Sequence, residues 1–89
     1  MRIPKLLRTA PEIERLILNE MAKAAICDAV SAVTVAPLEG RADTNWEIAH
    51  ISVPGGGRPP KVCLDICAAA VEALRPRYDL LLDIEAGEL

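Results

Sequence analysis

Apolar residues recur along the chain in two periods, and the switches between them divide it into helix, hairpin and helix. Ile13, Leu16, Ile17, Met21 and Ala24 fall at 3.6-residue spacing, with Glu12, Arg15, Asn19 and Lys23 on the opposite side. This is the pattern of a helix that buries one stripe. Leu18 lies outside the stripe. Thr9-Ala10-Pro11-Glu12 reads as a capping box: the Thr9 hydroxyl can meet the Glu12 amide, and Pro11 falls in the first turn, where a missing N–H costs little. The helical pattern decays near Cys27 and Asp28. The β-branched run from Val30 to Ala36 then predicts a first strand over residues 31–36, because such side chains crowd a helix and suit a pleated surface.

Pro37 to Thr44, with Gly40 and Asp43, has the turn chemistry of a hairpin loop, and a second strand is expected over residues 45–53. Its alternation is mixed. Strict period two puts Trp46, Ile48, His50 and Ser52 on one face and Glu47, Ala49, Ile51 and Val53 on the other, so each face is apolar for half its length. Either a bulge near Ala49 and His50 switches the phase, or both faces are covered. After the Pro54-Gly-Gly-Gly-Arg-Pro-Pro60 break, Val62, Cys63, Ile66, Cys67, Ala70, Val71 and Leu74 form a broad helical stripe opposite Lys61, Asp65 and Glu72. Pro76 ends this helix by disfavouring the helical conformation at Arg75. Tyr78 to Ile84 is a short apolar run compatible with a strand, a last helical turn or a docked extended segment. Residues 1–8 read as a loosely held arm and residues 85–89 as a frayed tail. The expected fold is α+β: one two-layer α-β-β-α domain over residues 1–89, with both helices on one face of a small antiparallel sheet.

Composition narrows this picture. At 89 residues the core is thin, and with 52% hydrophobic residues but only Trp46, Tyr78 and no Phe it must be aliphatic, with the two rings as anchors. A net charge of −3 argues against a general nucleic-acid binder, although Arg2, Lys5, Arg8 and Arg15 could form a local basic patch. No stretch approaches a membrane span, and Pro4 and Lys5 interrupt the N-terminus where a signal peptide would be apolar. Three cysteines make an odd set without a disulfide framework, which fits a reducing compartment; the expected location is the cytoplasm.

The chemical candidates are few. Cys63 and Cys67 sit four apart on one helix face, and Cys27 with His50 could complete a metal site, but thiols within an apolar stripe act as small hydrophobes. The thiols are therefore read as structural and unliganded. His50, alone in a strand, is read as an exposed or hydrogen-bonded residue rather than a base. The Gly-rich break has the strand-to-helix setting of a phosphate loop, yet Pro59 and Pro60 remove amides where an anion would sit. No catalytic, cofactor or metal residue is assigned.

The order of elements resembles that of double-stranded RNA-binding domains, but Arg58-Pro-Pro-Lys61 stands where that family carries its basic cluster, and a third strand is not evident. Asn45-Trp46 at the head of the second strand and Tyr78-Asp79-Leu80 after the last helix resemble short uncharacterised bacterial proteins with an α-β-β-α plan over about residues 10–82. That resemblance implies a fold and no activity. A small hairpin leaves edges and a face open, so the functional expectation is a non-enzymatic interaction module that forms a homodimer. Its interface would draw on Trp46, Ile48, Ile51, Val53, Tyr78, Leu80 and Leu82. The alternatives are a nucleic-acid accessory built on the basic patch and a metal-binding protein using the cysteines.

Overall fold

A computed structural model describes residues 5–81 of the chain. The fold is α+β. In chain order the elements are β1 (Leu6–Arg8), α1 (Ala10–Met21), β2 (Ala32–Pro37), β3 (Trp46–Ser52), α2 (Lys61–Leu74) and β4 (Tyr78–Leu80), with 3₁₀ turns at Ala25–Ala29 and Pro54–Gly56. β2 and β3 form an antiparallel pair, and β1 and β4 form a parallel one. No helix among the described residues is long and apolar enough to cross a membrane.

The capping box forms as expected. Thr9 Oγ1 accepts from the Glu12 amide at 3.3 Å, and Glu12 Oε1 accepts from the Thr9 amide at 2.9 Å. These bonds hold the Glu12 carboxyl below its ordinary range, first through the Thr9 backbone N–H and then through the Thr9 side chain. The helix buries Ile13, Ile17 and Met21, one residue per turn, while Leu18 packs half-buried at the margin of the core. α2 contributes Cys63, Cys67, Ala70 and Val71. Both helices meet β2 residues Val33 and Val35, and Trp46 lies at the centre with no exposed surface.

The mixed alternation of the second strand resolves as a bulge. Thr34 pairs with His50 but Val35 pairs with Ile48, so Ala49 is the extra residue. Residues directly opposite in an antiparallel pair share a face. The shift therefore brings Trp46, Ile48 and Ile51 to the side of Val33 and Val35, and sends Glu47 and His50 outward. The apolar surplus inferred from strict alternation is largely removed. The Val35 amide, on the outer edge of β2, donates to Glu14 Oε2 on α1 at 2.8 Å and closes that edge at this point.

One expectation is corrected and one open choice is decided. The stretch read as an arm is tied down from Leu6 onwards: Leu6 N donates to Arg77 O at 3.0 Å and Leu81 N to Arg8 O at 2.8 Å, which makes the β1/β4 pair. A three-residue strand paired across seventy residues has no local signature. Tyr78–Leu80 is correspondingly a strand; residues 1–4 and 82–89, including Leu82 and the tail read as frayed, lie outside the described residues. Because aliphatic neighbours cannot refill the space of the one indole, Trp46→Ala should lower stability by about 3–5 kcal/mol, measured by urea denaturation. A near-native midpoint would show that the indole is not the anchor.

Candidate functional site

The two motifs singled out in the sequence, Asn45-Trp46 and Tyr78-Asp79-Leu80, meet in space. Asn45 lies at the head of β3, where its own carbonyl accepts from Leu38 N at 2.8 Å. Its carboxamide spans the backbone of Leu80: Nδ2 donates to Leu80 O at 3.0 Å, and Leu80 N donates to Oδ1 at 2.7 Å. The neighbouring Trp46 Nε1 donates to Tyr78 O at 3.0 Å. Lys5 adds an ion pair to Asp79 at 3.2 Å and a bond to the Asp43 carbonyl. Asn45, Trp46 and Lys5 form a clamp that holds β4 on its inner side. It is a structural device, and Trp46 and Leu80 are buried within it, so neither lies on the surface of an interface.

Around the clamp the charged groups are largely committed. The Arg75 guanidinium lies over the Trp46 ring at 5.8 Å and pairs with Glu72 at 3.2 Å. Arg8 and Arg77 lie over Tyr78 at 5.6 and 5.8 Å. Arg41 binds Asp43 through two bonds of 2.9 and 2.6 Å and holds that carboxyl below its ordinary range. Of the proposed basic patch, Lys5 is turned to Asp79, Arg8 to Tyr78 and Arg15 to solvent, while Arg2 lies outside the described residues.

The cysteines require a correction. Cys27 and Cys63 are joined as a disulfide across a sequence separation of 36, with Cα atoms 5.6 Å apart. Cys27 comes from the 3₁₀ turn that follows α1, where the amphipathic pattern has lapsed, so its approach to α2 is set by tertiary packing rather than by spacing. Cys67 is free and buried, and burial pushes its thiol pKa up. His50 is exposed on the outer face, opposite Thr34. The four proposed metal candidates are thus not brought together. The Gly-rich break forms a short turn with Gly55 and Gly56 at φ of 82° and 77°, and Pro60 precedes α2 without a side-chain cap.

What remains open is the far side of β3. Among the described residues the strand pairs with β2 alone, and between its other edge and α2 runs a groove that neither motif foretold. One part, about 320 Å³, lies between Glu47, Ile48 and Ile51 on the strand and Leu64, Ala68 and Val71 on the helix. It continues past His50 to Gly57, Arg58 and Pro59 as a second hollow of about 400 Å³. The helical positions Leu64, Ala68, Val71 and Arg75 form one stripe, a signal present in the sequence but obscured by the stronger core stripe beside it. Ile48 and Ile51 are half-buried along it and Leu64 is 43% exposed; Val53 and Tyr78 are also half-buried. Among protein-family models, curated proteins and solved structures, none matches this chain.

Two outcomes follow from this geometry. Asn45→Ala leaves the Leu80 N–H and C=O without partners and should lower stability by on the order of 2 kcal/mol, with faster hydrogen exchange at Leu80; an unchanged exchange rate would remove the clamp from the account. Thiol titration should find one reactive group, Cys67, and only after denaturation. Reducing the bridge should cost about 3–4 kcal/mol in the chain-entropy description, read as a lower urea midpoint. Three thiols in the oxidant-treated, unfolded protein would contradict the bond.

Proposed function

We propose that this chain is a small non-enzymatic interaction module that self-associates. The observation that carries the reading is the edge of β3, unpaired among the described residues, beside a groove whose helical wall exposes Leu64. An open strand edge offers a row of backbone donors and acceptors, and the groove offers apolar surface to the side chains of an added strand. The groups with the strongest claim on chemistry are occupied elsewhere. Cys27 and Cys63 hold each other, Cys67 is buried with a raised thiol pKa, and Asn45 serves the Leu80 backbone.

A nucleic-acid accessory role is less well supported, because Lys5 is paired with Asp79 and Arg8 lies over Tyr78. The metal reading is weakened in the same way by the disulfide. On location, the Cys27–Cys63 bridge weighs against the reducing compartment expected from three unpaired thiols; in a cytoplasm it would have to persist in a reducing pool, where the burial of both sulfurs shields it from attacking thiols. Light scattering coupled to size exclusion, in non-reducing buffer at micromolar concentration, should give the mass of two chains; a strictly monomeric mass would overturn the reading.

A further inference from the structure

The groove has polarity along its length. At the head of β3 it is flanked by Glu47 and Glu72, and at the far end by His50 and Arg58. Glu72 is engaged by Arg75, but Glu47 and Arg58 have no salt-bridge partner among the described residues, and both are exposed. An acidic end and a basic end on one strand edge are complementary to the same edge turned through 180°. We propose that β3 of one chain pairs antiparallel with β3 of a second copy, about a two-fold axis between Ala49 and His50. The proposal rests on the self-association reading and names its surface.

The bulge narrows the registers, and the charges at the two ends choose between those that remain. With Ala49 inserted, Ile48 and Ile51 face the core side and Glu47 and Ser52 face outward. An antiparallel pair places like faces opposite each other. Over the whole strand, this condition is met when Ile48 lies opposite the second copy's Ile51 and Glu47 opposite the second copy's Ser52. The same turn carries Glu47 towards the second copy's Arg58, which stands on the loop that follows Ser52. Two such ion pairs form, one at each end, as two-fold symmetry demands.

Burial and edge chemistry agree with this arrangement. In the pair, Ile48 and Ile51 of each strand lie over the Leu64 and Val71 wall of the opposite groove, which covers the exposed part of Leu64. Each edge of the hairpin is closed at one point, β2 by Glu14 at the Val35 amide and β3 by Arg75 and Thr44 at the Trp46 carbonyl, so pairing would use the part of β3 beyond Trp46. The two β2/β3 hairpins become one four-stranded sheet with β3 strands at its centre, a form in which the vulnerable edge is no longer open to other chains.

Charge exchange at exposed positions tests the mode without disturbing the core. Sedimentation velocity should show Arg58→Glu and Glu47→Arg each weakening the dimer by about tenfold or more, because each change creates two repulsive pairs. The double variant, with both charges exchanged, should return to the wild-type dissociation constant. If the wild-type chain is a monomer, the self-association reading and this mode fail together. If it is a dimer that both single variants leave intact, or that the double variant does not restore, β3 pairing is overturned while self-association through another surface stands.

Discussion

The backbone of Leu80 has no strand beside it on the side of the hairpin, and a single carboxamide takes the strand's place. By presenting a donor and an acceptor on one planar group, Asn45 repeats what a neighbouring residue's backbone would offer, at 3.0 and 2.7 Å. Trp46 reinforces the contact one residue later, and its indole then becomes the object around which α1, α2 and β2 close. β4 in turn carries β1, so the parallel pair depends on the same amide. Asp could not reproduce the contact, because a carboxylate accepts twice and donates nothing.

Much of the framework was legible because its signals are local. The Thr9 to Glu12 box and the Ile13/Ile17/Met21 stripe act within a few residues and the helix they mark is present; α2 does end ahead of Pro76, at Leu74, but Arg75 keeps a helical conformation rather than being driven out of it. The conflict along residues 45–53 was legible too: a strand apolar on both faces left a bulge or two covered faces as the choices, and the structure has the bulge, with Ala49 inserted. What escaped depends on distance along the chain. Cys27 gives no hint that it will face Cys63, because it sits where the helical period has lapsed, and Leu6–Arg8 is too short to show a period at all. Glu14 was assigned to neither side of the helix; its bond to the Val35 amide joins residues 21 apart and has no local signal. The groove was hidden for another reason. Leu64 and Ala68 belong to a second stripe of α2, adjacent to the core stripe, and hydrophobicity alone does not distinguish surface that packs inward from surface left for a partner.

The small core explains why covalent and polar devices are combined here. Its buried side chains are mostly aliphatic or small, with Cys63, Cys67 and Ala70 lining α2 where larger residues would be expected. Small residues let the helices and the hairpin approach closely but contribute little transfer free energy each. The bridge between the turn at Ala25–Ala29 and α2 compensates by limiting the unfolded chain, at a place where the turn itself makes few contacts.

The bridge has a mechanical consequence as well. The residues between Cys27 and Cys63 include β2, the hairpin loop, β3 and the Gly-rich turn, and they lie inside a covalent ring. Tension applied along the chain from outside the ring passes from one cysteine to the other through sulfur and bypasses that segment. About 120 Å of extended chain is thereby withheld from stretching. The β2/β3 hairpin, with the groove beside β3, thus lies in the part of the molecule that the bridge relieves of load, while α1 and the short parallel pair lie outside it.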